Sequence, residues 1–187
     1  IGTPEYRAVT GRVSLQRARQ NSWLLADEKN VAVVEATANR YAIRKPGDHG
    51  EEGFVVVANH FVADHSYDED NNLTGVPMSW FGDEESKPRS KSRWYTLYWE
   101  AKNNVGNITL DMIKKWKSAH HYINEEGQRI DYVWDKQYGW ISAHQGFSTV
   151  CCHDGYPELF TGSTTDTKVI DITNRKIYWS VGRGCEW

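Results

Sequence analysis

Asn59 and His60 close a continuously apolar run, FVVVAN, and set an amide donor beside an imidazole where a strand would end. An amide on a rigid element can donate a hydrogen bond to a carbonyl oxygen as it becomes an oxyanion, and an imidazole can hold or move a proton. A polar pair that merely ends a strand has the same composition, so these two residues alone decide nothing. Ser90-Lys91-Ser92-Arg93 comes just before a helical pattern, so Arg93 can aim a planar, permanently charged fork from a helix start towards an anion. Solvated arginines are equally at home there. Cys151, Cys152 and His153 place thiols next to an imidazole, the ingredients of a nucleophile and its base. Neighbours on a strand point to opposite faces, however, so Cys152 and His153 are badly placed to act on each other. Buried free thiols are the favoured reading.

Other constellations fall short of a motif. Neither His120 with His121 nor His60 with His65 has the H-x-x-x-H spacing of a helical zinc site, and no catalytic metal is expected. Cys151, Cys152 and Cys185 form no C-x-x-C pair and leave an odd count, which argues against a zinc knuckle or a disulfide framework. Asp68, Asp70 and Asn72 mimic half a calcium loop, but Leu73 stands where the sharp-turn glycine belongs and Ser79 where the bidentate glutamate belongs. The loop reads as solvated. Nine tryptophans and ten tyrosines could build a stacking platform for sugars, although aromatics at regular periods are more often core.

The elements that must position these residues follow from the pattern. SWLLAD, VAVVEAT and YAIR, separated by the polar EKN and ANR turns, read as three successive antiparallel strands over residues 22–44. A charged loop at 46–53 leads to FVVVAN, whose β-branched apolar run predicts a strand buried on both faces. Residues 63–89 are acidic, then rich in Gly, Pro and Ser, and read as a long irregular excursion. Trp94, Leu97, Tyr98 and Ala101 recur at helical spacing until Gly106. Thr109 and Asp111 then open a second helix carrying Met112, Ile113, Trp116 and His120. Strands are expected again at 131–134, 146–152, 167–172 and 176–181, the last two joined by Thr173-Asn174-Arg175. Strands, grouped helices, then strands suit a layered α+β domain better than an all-β sandwich.

Composition bounds the function. A length of 187 residues suits one domain, 1–187, with a real core. A net charge of −3 gives no basic footprint for nucleic acid or an anionic membrane surface, and the cluster Arg7, Arg12, Arg17 and Arg19 reads as a solvated face. No apolar run is long enough to span a bilayer, so a soluble chain is expected, in the cytoplasm or in a secreted or periplasmic setting. Asn72-Leu73-Thr74 and Asn107-Ile108-Thr109 match glycosylation sequons without settling the compartment. Ile1 rather than Met at the start points to a processed product or a piece of something longer.

Taken in order, the pieces resemble a family. These are the NSWLLAD, VAVVEAT and YAIR meander, the VVVANHF segment, S-x-x-R followed by RWYTLYW, GNITLDMIKKW, a C-x-H step at Cys151 and His153, and the closing KVIDITNRKIYWSVGRGC hairpin. From Asn21 to Cys185 the chain resembles the penicillin acyltransferase-like (acyl-coenzyme A:isopenicillin N acyltransferase-like) N-terminal-nucleophile hydrolases, relatives of the choloylglycine hydrolases. Ala58 stands where that family usually has threonine.

The resemblance implies a four-layer αββα sandwich of which this chain is the larger C-terminal part. It also implies a cysteine, freed at a chain's N-terminus by self-cleavage, that attacks an amide or thioester with its own α-amine as base and forms an acyl-enzyme. Asn59 would supply an oxyanion donor and Arg93 would hold the thiolate or a substrate carboxylate. His60, Phe61 and Ser90 would contact substrate. No cofactor is implied. No Cys, Ser or Thr stands at residue 1, so the nucleophile is expected on a second polypeptide with an N-terminal cysteine. The competing readings are a non-catalytic carbohydrate- or small-ligand-binding domain and a catalytically inactive relative.

Overall fold

Alternation of large and small apolar residues between polar turns makes the first strands. In the computed structural model, which describes residues 21–68, 70–78, 86–146, 149–151, 166–182 and 185, β1 (Asn21–Ala26), β2 (Val31–Ala36) and β3 (Tyr41–Arg44) form an antiparallel meander in the order β1-β2-β3. The Asp27 carboxylate closes the first turn by accepting the backbone N–H groups of Lys29 and Asn30, both at 2.8 Å. Thr37 Oγ1 does the same for Arg40 N–H in the second turn, at 3.1 Å. β2 is the middle strand, and five of its six residues are buried, from Ala32 through Ala36. Burial on both faces is what a central strand of this composition demands.

The chain divides into two compact units, Ile1–Asp83 and Glu84–Trp187. In the first, Ala42 of the meander clusters with Ala63 and Met78, and Phe54 and Val56 are buried. Residues 54–58 are not a strand, contrary to expectation. Their backbone groups pair with buried side chains instead of a neighbouring strand, as described below. The excursion that follows is tethered to β3: Tyr41 and Tyr67 exchange backbone hydrogen bonds at 3.1 and 2.7 Å, and their rings stack at 5.2 Å. Tyr41 Oη also donates to Asn71 Oδ1 at 2.8 Å.

In the second unit, α1 (Ser86–Lys102) starts earlier than the periodicity predicts. The stretch SKPRSKSR has loop-like composition, but Pro88 falls in the first turn, where its missing N–H has no helical partner to lose. Ser90, Trp94, Tyr98 and Ala101 form the buried stripe, with Trp94 stacked on Tyr98 at 4.9 Å. α2 (Leu110–Lys117) starts where expected, with Thr109 Oγ1 accepting Met112 N–H at 3.3 Å. His120 lies three residues beyond its end.

Short antiparallel ribbons complete the second unit. They are β4 (Tyr122–Ile123) with β5 (Arg129–Ile130), β6 (Tyr132–Asp135) with β7 (Gly139–Ser142), and β8 (Asp166–Asp171) with β9 (Lys176–Val181). The first ribbon is fastened to α1: Thr96 Oγ1 accepts Ile123 N–H at 2.8 Å, and Trp99 Nε1 donates to Asn124 O at 3.1 Å. No strand runs over the described part of 146–152. Gly146 ends a short 3₁₀ turn, and residues 149–151 are bent.

Candidate functional site

The segment bearing Asn59 is held by a charged network that no sequence motif announced. Glu35 on β2 and Arg44 on β3 are diagonal neighbours on one face, since Val33 pairs with Arg44 and Glu35 with Ala42. Both are 1% exposed, and Glu51, from the loop after β3, is fully buried beside them. Arg44 Nε donates to Glu35 Oε1 at 3.0 Å, Nη1 donates to Glu51 Oε2, and Nη2 donates to the Val56 carbonyl at 2.8 Å. Glu51 accepts Val56 N–H in turn. Both Glu35 oxygens accept Val62 N–H at 3.0 Å, and one accepts Ala63 N–H at 3.0 Å. Burial pushes the Glu51 carboxyl above its ordinary range, against the opposing pull of Arg44 and Val56 N–H.

Two carboxylates on one guanidinium leave a buried excess of negative charge, which is tolerable only because every atom just named has a partner. The geometric result is a fixed loop. Residue 56 is tied at one end and residues 62 and 63 at the other, with Asn59, His60 and Phe61 between them. Asn59 is exposed, whereas His60 is 7% exposed. Phe61 is partly buried against Ala42, Ala63 and Met78 and so serves the core of the first unit.

The remaining expected site residues lie in the second unit. Ser90 is 1% exposed on the inner stripe of α1, and Arg93, on the same helix, is half-buried. Ser90 belongs to the buried row of α1 that continues through Trp94 and Tyr98. Cys152 and His153 lie outside the described residues. Cys151 is buried, as expected of a structural thiol, but Cys185 is exposed.

The Asp68 carboxylate accepts Asp70 N–H at 3.0 Å and Asn72 N–H at 2.8 Å, shaping its own turn, and these bonds, Asn72 N–H foremost, hold its pKa down. Among the described residues, His120, Cys151 and Cys185 place a ring nitrogen and two sulfurs within 4.8 Å of one another.

Sequence reasoning missed the Glu35–Arg44–Glu51 network, although a signal existed: one glutamate inside VAVVEA and one arginine closing YAIR, in strands otherwise apolar. No helix among the described residues is long and apolar enough to cross a membrane. Compared with known proteins, the chain matches no family model, no curated protein and no solved structure.

Proposed function

We propose that this chain is part of an N-terminal-nucleophile amidohydrolase or acyltransferase of the four-layer αββα type, acting on small linear amides or thioesters through a cysteine acyl-enzyme. The cysteine belongs to a second polypeptide that carries it at its N-terminus. Its thiol sulfur attacks the carbonyl while its α-amine takes the thiol proton, and the tetrahedral intermediate then expels the amine or thiol as acyl-enzyme forms. Water or an acceptor amine releases the acyl group. Asn59 donates its side-chain amide to the oxyanion.

The observation that carries this reading is the clamped loop. An oxyanion donor is effective only if it is set in place before charge develops, which needs a second layer of fixed partners. Glu35, Arg44 and Glu51 supply that layer to residues 56–63, and Asn59 is the exposed side chain at the middle. The order of sequence motifs supports the same reading.

A second reading rests on a different feature. Tyr132, Trp134 and Trp140 share one face of the β6–β7 ribbon and are 64%, 64% and 71% exposed. Trp134 and Trp140 meet edge to face at 5.7 Å. Exposed aromatic faces of this kind can stack on sugar rings, and this face would serve a non-catalytic ligand-binding domain.

One preparation tests both. Natively purified protein is resolved by intact mass and N-terminal sequencing, then assayed against a panel of acyl amides and titrated with oligosaccharides by tryptophan fluorescence. The enzyme reading expects a partner beginning with cysteine and a loss on the order of 100-fold in kcat for Asn59→Ala with urea unfolding unchanged. A near-native rate for Asn59→Ala, or no cysteine-bearing partner, refutes it. Sugar binding abolished by Trp134→Ala, with no amidase activity in the parent protein, establishes the second reading instead.

A further inference from the structure

Three residues that the proposed catalysis does not use come together in the second unit. The side chains of His120, Cys151 and Cys185 bring one ring nitrogen and two sulfurs within 4.8 Å of one another. We propose that they bind a zinc ion, which ties the segment after β9 to the end of α2.

The ligand set suits that ion. Zinc takes thiolate at about 2.3 Å and imidazole at about 2.0–2.1 Å in tetrahedral geometry, which sets the sulfurs roughly 3.8 Å apart and each sulfur roughly 3.5 Å from the nitrogen. From within 4.8 Å, the two sulfurs need to close by no more than about 1 Å and each sulfur on the nitrogen by no more than about 1.3 Å. Two thiolates and a neutral imidazole balance a divalent cation, so the loaded cluster has no net charge beside the fully buried Cys151.

The backbone holds two of the ligands in place. Cys151 N–H donates to Ala119 O at 3.3 Å, and Thr149 Oγ1 donates to Cys151 O at 2.7 Å. Ala119 N–H donates to Trp116 O at 3.2 Å, fixing the residue before His120 to the last turn of α2. Cys185 comes from beyond β9 and is exposed, as is His120, so an ion can enter from solvent. Three protein ligands leave the fourth tetrahedral position to water. The sequence separations, thirty-odd residues in each case, explain why no spacing motif marked the set.

The test uses the full chain, reduced and stripped of metal by a chelator, and titrated with Co²⁺ as a coloured substitute for zinc. One equivalent should give the thiolate-to-cobalt charge-transfer absorption and intense visible bands of a tetrahedral site, and Zn²⁺ should bleach them. Zinc should also slow alkylation of Cys151 and Cys185, mapped by peptide mass. Cys185→Ser and His120→Gln should each weaken binding by at least the roughly 10–100-fold that loss of an outer-shell partner costs. Cys185→Ser changes an exposed residue, so circular dichroism should confirm that it folds. The proposal is overturned by the absence of a one-equivalent tetrahedral spectrum. It is equally overturned if the spectrum survives in both variants, which means an adventitious ion only, or if the natively purified chain holds a Cys151–Cys185 disulfide that consumes both donors.

Discussion

Replacing Glu35 with alanine removes the acceptor on which Arg44 Nε, Val62 N–H and Ala63 N–H converge, each at 3.0 Å. Removing one partner of a buried ion pair typically costs about 3–5 kcal/mol, and each buried donor left unpaired about 1–3 kcal/mol. Two features of the site reduce the simple sum. Arg44 keeps Glu51 and the Val56 carbonyl, and losing one of two carboxylates relieves the excess negative charge. We therefore expect Glu35→Ala to lose about 3–5 kcal/mol, a large share of the roughly 5–15 kcal/mol that holds a typical domain folded. Glu35→Gln keeps an acceptor of the same shape and should lose about 1–3 kcal/mol. Urea unfolding measures both. Hydrogen exchange localises the effect, because Val62 and Ala63 amides should exchange about tenfold faster for each 1.4 kcal/mol of lost local stability. A Glu35→Ala protein within about 1 kcal/mol of the parent, with unchanged exchange at residues 62 and 63, refutes the claim that this network fixes the loop.

Two further predictions concern local structure and pH. Thr109→Ala should destabilise by about 0.5–1 kcal/mol, the low end for an N-cap because the Oγ1 to Met112 N distance is 3.3 Å, and Thr109→Asp should restore it; equal urea midpoints for all three proteins would remove the cap's role. Burial raises the folded-state pKa of Glu51 above the ordinary 4.5, so its contribution to stability is complete below that value and is lost as pH rises through the raised value. Asp27, Asp68, Asp131 and Asp171 act oppositely: hydrogen bonds, chiefly from Lys29 N–H, Asn72 N–H, the Arg129 side chain and the Asn174 side chain, lower each pKa below 3.8. Their contribution is present above 3.8 and is lost as pH falls through the lowered values. Glu51→Gln should therefore flatten the decline in stability from pH 4.5 towards neutrality and leave the acid limb intact. Parallel curves for mutant and parent over that range would contradict it.

What the sequence disclosed was local. SWLLAD, VAVVEA and YAIR carry their own turns, because Asp27 and Thr37 close them with side chains two or three residues away. Thr109 begins α2 by the same short-range logic, and Thr173-Asn174-Arg175 joins β8 to β9, with Arg175 in the left-handed region at φ 54°. What stayed hidden was set by distant partners. Residues 54–58 have the composition of a buried strand, yet Val56 N–H and its carbonyl pair with Glu51 and Arg44, a choice no window centred on FVVVAN contains. Pro88 concealed the first turn of α1 because proline reads as a breaker until its position in the turn is known. Asn59, Arg93, His60, Phe61 and Ser90 were named from motif order, whereas exposure for Asn59 and burial for His60 and Ser90 are properties of packing.

The Glu35–Arg44–Glu51 network also explains why a loop, and not a fourth strand, lies beside the meander. An apolar replacement of comparable volume can match or exceed a buried ion pair in stability, so stability by itself gives little reason to keep three charges in this core. Apolar side chains, however, cannot satisfy the N–H and carbonyl of Val56 or the N–H groups of Val62 and Ala63, and buried backbone groups must be paired. A strand neighbour would satisfy them but would put Asn59, His60 and Phe61 on alternate faces of a ladder. With side chains as partners, the segment follows its own path, and Asn59 is exposed while His60 is buried and Phe61 packs on Ala42, Ala63 and Met78. Removing charges from the core in pairs should therefore fail to restore the parent. Glu35→Leu combined with Arg44→Met still leaves Val62 and Ala63 N–H unpaired and strands Glu51, so the double variant should remain less stable than the parent, unlike a simple buried ion pair.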